Sequence, residues 1–382
     1  MKVAVLGYGV VGFGVHEMLK SAAGLEPGPV LVRPGKNDEP FKVTSIEEII
    51  NDPSVDAVAE VMGGVEPAFS YVSAALKAGK HAVTSNKALV AARGTELMKL
   101  AAENKVAFIF SAACGGGVPF LHNMALAAES DEIVSVGGIL NGTTNYMLDM
   151  MQRTGLSYEE ALADAQKLGY AEADPTADVT GLDALRKIML ADAVAFNVLP
   201  NEGFNNEGID SFTACDVAYL KSKGLACRLI ASGQKNDDGS VCAYVEPVIF
   251  GAGAPELSVL LNNNMAKYIG KNSGSIVLMG QGAGRWPTAS AVLRDLCDIN
   301  HGRMSMMRPD CVNAAAKNSG CRNKYLIRYS EGSFPPVPVE SEEKFSGNIY
   351  AKTKEIAVSE MHAAAAEFRK DGAKLFFASI GE

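Results

Sequence analysis

Met1-Lys2-Val3-Ala4-Val5-Leu6-Gly7-Tyr8-Gly9-Val10-Val11-Gly12 opens the chain and decides its fold. The apolar run Val3–Leu6 reads as a buried strand. It passes directly into Gly7-x-Gly9-x-x-Gly12 and a helix-like stretch, Val10–Ala22. That glycine spacing is weak in isolation, but between a strand and a helix it signals a dinucleotide-binding turn. The glycines permit a tight turn and bring a pyrophosphate to the positive helix N-terminus. Gly7, Gly9, Val10, Val11 and Gly12 are therefore candidate cofactor contacts; a tight turn without a ligand is the alternative.

Outward from this turn, short apolar runs alternate with helical patterns. Val30–Val32 reads as a second strand, and Ser45-Ile46-Glu47-Glu48 has capping-box spacing ahead of a short helix. Ala57–Met62 is a third strand, and a helix runs from Pro67, a favoured first helical residue, to Lys77. His81–Ser85, Thr95–Asn104 and Val106–Phe110 continue as strand, helix and strand. This alternation implies βαβ units and a doubly wound parallel sheet of Rossmann type over residues 1–125.

From about residue 125 the pattern changes. Ile133–Leu140 reads as a strand entering Asn141-Gly142-Thr143-Thr144, followed by helices at Tyr158–Lys167 and Leu182–Phe196. Apolar stretches around 226–232, 242–249 and 276–279 read as strands of an α+β substrate domain, residues 126–283. A helical pattern from Thr288 to Cys297 lies in a segment, 284–303, expected to return to the first domain. Phe334-Pro335-Pro336-Val337-Pro338 reads as a linker or irregular loop. A helix near 352–370 and a strand at Lys374–Ser379 leave a small terminal unit within residues 304–382.

The length of 382 residues suits two or three domains at ~150 residues each. Thirty-five basic against 44 acidic side chains leave a net charge of -9, which argues against a nucleic-acid or anionic-membrane partner. The 7 cysteines are odd in number and form no C-x-x-C pair, so neither a disulfide framework nor a zinc site is expected. A reducing, cytoplasmic setting fits, as does the lack of a cleavage region after the first apolar run. Residues 106–128 lack Lys, Arg, Asp and Glu, but Gly115-Gly116-Gly117-Val118-Pro119 interrupts them. They read as strand, loop and helix, and no membrane span is expected.

The place ~20 residues past the glycine motif usually carries an acid for a ribose hydroxyl. Here it holds Val32-Arg33-Pro34-Gly35-Lys36. A guanidinium there suits a 2′-phosphate and favours NADP(H), with NAD(H) also open; a solvated loop charge is the alternative. Asn86-Lys87 closes the fourth strand, at the sheet edge where ligands sit. The most informative run is Leu168–Asp178, followed by Gly181–Lys187. On a helical wheel Asp183 and Lys187 share a stripe with Leu190 and Val194, so the pair faces a cavity or interface. A buried lysine beside a carboxylate can serve as a proton donor or acceptor, its pKa lowered by burial. Glu172, Asp174 and Asp178 would make an acidic pocket for an ammonium group, pointing to a small amino-acid substrate. Cys114 invites comparison with the nucleophile of acylating aldehyde dehydrogenases, but none of the 5 histidines lies in a setting suited to a base.

Taken together, these segments resemble homoserine dehydrogenases. The matching stretches are Gly7–Gly12, Gly79–Lys87, Gly115–Pro119, Asn141–Tyr146, Leu168–Lys187 and Gly282–Val292, in family order over about residues 1–300. The resemblance implies NAD(P)H-dependent reduction of L-aspartate 4-semialdehyde to L-homoserine, on the route to threonine and methionine. It implies Lys187 as proton donor with Asp183 beside it, and Lys87 between nicotinamide and substrate. Glu172 and Asp178 would hold the substrate ammonium, with Asp174 nearby and Gly142, Thr143 and Tyr170 shaping the pocket. Gly63, Ser85 and Gly282 would complete the cofactor contacts. It further implies a homodimer or dimer-based oligomer through the substrate domain, and a Na+ or K+ held by backbone carbonyls of Ser111, Cys114, Gly116 and Val118. Ser111 stands where relatives often carry Glu. Many relatives end in an ACT regulatory domain, of which residues 304–382 offer part of the pattern. The alternatives are a related dehydrogenase acting on another amino-acid carbonyl or through Cys114, and an inactive dinucleotide-sensing regulator.

Overall fold

The computed structural model describes residues 1–36, 38–308, 310–331, 336–370, 372 and 374–381. The first part of the chain runs β1 (Lys2–Leu6), α1 (Val10–Leu19), β2 (Glu26–Leu31), β3 (Lys42–Val43), α2 (Glu47–Ile50), β4 (Ala57–Glu60), α3 (Ala68–Lys77), β5 (His81–Thr84), α4 (Lys87–Glu103) and β6 (Phe108–Ile109). All six strands are parallel, in the order β3-β2-β1-β4-β5-β6. Val3, Ala4, Val5 and Leu6 are fully buried. That explains the unbroken apolar run: a parallel sheet with helices on both faces hides every strand residue. The strand order reverses between β1 and β4, and ligands bind above the carboxyl ends at such a point.

One boundary departs from the sequence expectation. Asn86 caps α4 by accepting from the Leu89 N–H at 3.1 Å, so the helix begins at Lys87 and not at Thr95. Gly94, a poor helix former, is carried inside it against Leu199. Lys87 therefore opens a helix and does not end a strand.

The middle of the chain adds α5 (Phe120–Ala127), β7 (Ile133–Ile139), α6 (Gly142–Thr154), α7 (Tyr158–Lys167), α8 (Thr176–Val179), α9 (Leu182–Phe196), β8 (Val198–Glu202), β9 (Asn205–Asn206), α10 (Ala214–Ser222), β10 (Leu225–Lys235), β11 (Val241–Gly251), β12 (Asn263–Gly270), β13 (Gly274–Gln281) and α11 (Arg285–Asn300). Strand β12 has no counterpart in the sequence reading, because its start is polar (Asn263-Asn264). It nonetheless sits inside the sheet, between β7 and β13. Helix α11 packs against α1, where Ala289 and Arg285 lie against Gly14.

The last part comprises β14 (Val312–Ala315), β15 (Arg322–Asn323), β16 (Tyr325–Ser330), β17 (Val339–Phe345), β18 (Asn348–Thr353), β19 (Ile356–Ala357), α12 (Val358–Arg369) and β20 (Leu375–Ile380). The expected helix over 352–370 starts only at Val358, since Lys352 and Thr353 finish β18 and Ile356–Ala357 form β19. Phe334 and Pro335 of the proline-rich stretch lie outside the described residues. The small terminal unit is not a separate sheet. Strand β20 pairs with β11 at Val248↔Ser379 and Ile249↔Ile380, giving one sheet ordered β13-β12-β7-β10-β11-β20-β16-β18-β17. It keeps its own apolar cluster around Tyr325, Ile327, Met361 and Phe377. Cys242 and Cys321 are disulfide-bonded across a separation of 79 residues, which corrects the expectation that the thiols stay unpaired. Pairing of that kind depends on strands meeting in space, which cysteine spacing does not encode.

Candidate active site

The dinucleotide turn is built as its glycines require. The Gly7 N–H donates to the Leu31 carbonyl at 3.0 Å, which lays the turn beside the end of β2. Gly7 takes a left-handed φ of +104°, and a Cβ on Gly12 would stand 2.0 Å from the Gly7 carbonyl oxygen. Gly9 instead faces open space, with nothing within 4 Å of a Cβ. It precedes α1 without a side-chain cap, so the first-turn N–H groups around Val10 and Val11 remain available to an anion. The residues present thus fit a dinucleotide pyrophosphate. Arg33 lies two residues past the end of β2, is exposed, and makes no ion pair among the described residues.

Across the crevice, Gly63 takes a φ of +85° and the Ser85 N–H donates to the Glu60 carbonyl at 3.1 Å. The organising group here is Glu60, which sequence reasoning missed. Its carboxylate is fully buried and accepts from the Met62 N–H at 2.7 Å, the Gly63 N–H at 3.4 Å, Thr84 Oγ1 at 2.5 Å and Asn86 Nδ2 at 3.5 Å. Burial raises its pKa, and the four donors work against that rise. Asn86 Nδ2 also donates to the Gly64 carbonyl at 2.6 Å, so one acid ties the loop after β4 to the cap of α4.

Helix α4 then aims Lys87 at α9. Lys87 Nζ lies 3.1 Å from Asp183 Oδ1, and Lys187 Nζ lies 2.7 Å from Asp183 Oδ2. Lys187 also donates to the Leu140 carbonyl at 2.5 Å. Asn141 Nδ2 bridges two acids, donating to Asp183 Oδ2 at 2.9 Å and to Asp178 Oδ1 at 2.6 Å. Thr143 Oγ1 lies 2.5 Å from the Tyr170 carbonyl and 3.3 Å from Asp178 Oδ2.

The electrostatics correct one expectation. Burial alone would lower the Lys187 pKa, but the charge and hydrogen bond of Asp183 outweigh it and the net shift is upward. Burial likewise pushes Asp183 up, while Lys187 and Lys87 pull it further down, well below the usual carboxylate range. The cluster holds a committed ammonium and a committed carboxylate. Asp178, facing fewer cations, is raised by burial.

Not every expected residue joins this cluster. Glu172 is exposed, with its backbone carbonyl accepting from Gln166 at 3.2 Å. Asp174 is exposed and accepts from Thr176 N and Oγ1, which spends it on starting α8. Of the three acids only Asp178 reaches the Asn141 bridge. Gly142 and Gly282 are packed against β12: their Cβ atoms would stand 2.6 Å from the Asn262 carbonyl oxygen and 2.1 Å from the Asn264 side chain. Glu60 and Asn264 lie in no motif that singles them out, and within the Asn141–Tyr146 stretch nothing marks the Asn141 side chain as a bridge between acids.

Cys114 is buried, with its Sγ 3.8 Å from the Lys187 carbonyl, and burial pushes its thiol up to about 12. Such a thiol is no nucleophile at neutral pH. In the same loop, the Ser111 and Val118 carbonyls accept from Cys114 and Phe120, while those of Cys114 and Gly116 accept no hydrogen bond among the described residues. Oxygens left over in this way fit a small cation. The Ser111 hydroxyl bonds Asp295, whose Oδ2 accepts from the Ala112 N–H at 3.2 Å and whose pKa burial pushes up to about 7.

A doubly wound dinucleotide crevice facing a buried Asp183–Lys187 pair, with half-buried Lys87 beside it, defines an NAD(P)-dependent oxidoreductase. Family models agree in detail: that of the homoserine dehydrogenase NAD-binding domain matches residues 7–111, and that of homoserine dehydrogenase matches residues 119–297. The homoserine dehydrogenase of Synechocystis is 37% identical over 78% of this chain and 73% of its own length; that of Bacillus subtilis is 37% identical over 78% and 72%. Among solved structures, the Thiobacillus denitrificans homoserine dehydrogenase aligns at a TM-score of 0.88 and 28% identity, covering 100% of this chain and 98% of that one. A hyperthermophilic archaeal homoserine dehydrogenase in complex with NADPH shares the fold at a TM-score of 0.68 and 24% identity, over 79% of this chain and 98% of that one. The chain belongs to the homoserine dehydrogenase family, enzymes that interconvert L-aspartate 4-semialdehyde and L-homoserine. No helix among the described residues is long and apolar enough to cross a membrane.

Proposed function

We propose that this chain reduces L-aspartate 4-semialdehyde with Lys187 as the proton donor to the carbonyl oxygen. The observation that carries the reading is Asp183 held between Lys87 and Lys187. A nicotinamide dinucleotide bound in the crevice supplies the hydride. Lys187 delivers its Nζ proton to the oxygen as negative charge develops there, and Asp183 keeps that ammonium protonated until then. Lys87 adds a second positive charge at the mouth of the cluster. Asp178, with Glu172 and Asp174 on the neighbouring segment, favours the substrate ammonium, while Gly142, Thr143 and Tyr170 close the pocket.

Arg33 supports NADPH over NADH, through a guanidinium with no competing carboxylate among the described residues. Na+ or K+ would be held by the carbonyls of Cys114 and Gly116, with those of Ser111 and Val118, and would stiffen the loop behind Lys187. Homodimerisation would use the face of the sheet formed by β10, β11 and β12, where Ile230, Val248 and Lys267 line an open cavity of about 600 Å3. Cytoplasmic residence accords with the five free cysteines, while the Cys242–Cys321 disulfide speaks for an oxidising setting.

The test is Lys187→Ala. Turnover should fall by orders of magnitude while NADPH still binds; near-normal turnover would refute the assignment. No specific observation favours chemistry through Cys114 or a purely sensory role.

A further inference from the structure

Two arginines near the end of the chain reach the segment that leads into α10 and the first turn of that helix. Arg369 of α12 grips Glu207 through two bonds of 2.9 and 2.6 Å, and its Nη2 also donates to the Leu375 carbonyl at 2.9 Å. Arg328 of β16 donates from Nε to Asp216 at 2.8 Å and from Nη2 to the Ser211 carbonyl at 2.8 Å. The gripped segment lies directly on the backbone that leads into α9. Asn206 Nδ2 donates to the Thr180 carbonyl at 2.6 Å, and the Ile209 N–H donates to the Val179 carbonyl at 2.8 Å. There is no slack between them. A Cβ on Gly208 would stand 2.1 Å from the Val179 carbonyl oxygen, and one on Gly181 would stand 2.7 Å from Asn206 Oδ1. Asp178 lies just before this contact and Asp183 just after it.

We infer that Arg369 and Glu207 form a positioning pair through which the C-terminal segment sets Asp178 and Asp183 in the active site. The inference rests on the reading of Asp183 and Lys187 given above. Neither arginine touches the cluster; the pair acts through the 206–209 backbone. Glu207 is buried apart from 8% of its side chain, so a bidentate guanidinium both neutralises it and fixes its direction. Lysine offers the charge without the fork and should restore only part of the effect. The family models cover residues 7–111 and 119–297, so Arg369 belongs to a part of the chain they do not describe.

The experiment compares Arg369→Ala, Arg369→Lys and Glu207→Gln in the full chain. In Arg369→Ala, kcat/KM for the semialdehyde should fall about tenfold, the size expected when reacting groups shift slightly. The NADPH Kd should stay unchanged, because its crevice lies on the other sheet. Arg369→Lys should recover part of the loss, Glu207→Gln should reproduce it, and Arg369→Ala combined with Glu207→Gln should be no worse than either alone. Amide exchange over residues 176–186 should quicken in Arg369→Ala. Unchanged kcat/KM and exchange, or a loss shared equally by NADPH binding and thermal stability, would overturn the proposal. The exchange readout tests the coupling even if Lys187→Ala kept full turnover, an outcome that would sink only the reading of Lys187.

Discussion

Asp183 holds Lys187 at 2.7 Å one turn further along the same helix, with about a tenth of either side chain exposed. Neither partner would keep its charge alone at that depth, since an unpaired buried ion costs several kcal/mol by general estimates, of the order of ~3–5. The pair keeps an ammonium next to the place where a carbonyl oxygen gains charge.

The pH dependence follows from that relationship. Asp183 raises the Lys187 pKa against the lowering effect of burial. Removing the carboxylate in Asp183→Ala leaves burial unopposed, so the Lys187 pKa should drop. The alkaline limb of the reduction rate should move to lower pH, with kcat falling at least about a hundredfold at neutral pH. A pH–rate profile in which the alkaline limb stays in place would contradict the assignment.

Glu60 gives a second prediction. Its carboxylate accepts from four donors, and an amide offers only one acceptor atom while turning an NH2 toward the rest. Glu60→Gln should loosen the Met62–Gly64 loop and the Asn86 cap together, raising the NADPH KM and lowering kcat by about tenfold each. Lost NADPH affinity without any change in kcat would separate Glu60 from Lys87.

Cofactor choice turns on Arg33. Arg33→Ala should weaken NADPH binding about tenfold or more, the loss expected for a charge-assisted contact, and leave NADH nearly unaffected. Titration of both dinucleotides against both proteins reads this directly, and equal NADPH affinity in the two would remove the basis for the preference.

The disulfide supplies a stability prediction. Cys242–Cys321 closes a 79-residue separation between β11 and the segment entering β15. Cys321→Ser should lower unfolding stability by about 2–4 kcal/mol under oxidising conditions, and by much less when reductant is present. Identical denaturation midpoints for the two oxidised proteins would show that the link is not holding the C-terminal segment.

Much of this protein is written locally. The glycine turn after Val3–Leu6 specifies the dinucleotide crevice, because a buried parallel strand must be apolar throughout and its turn must leave room for phosphate. Helices Tyr158–Lys167 and Leu182–Phe196 appear in the structure at the limits that periodicity assigns them. The Asp183–Lys187 pair is legible for the same reason, since four residues span one helical turn. What the tertiary structure alone decided lies between segments far apart in sequence. Lys87 meets Asp183 from another helix, Asn141 bridges two acids, Glu60 joins two loops, and Arg369 reaches Glu207. The sign of the Lys187 shift belongs with these: burial and pairing oppose each other, and only the distances show which one wins. Local periodicity records which face of an element is apolar; it holds no record of which distant groups that face will meet.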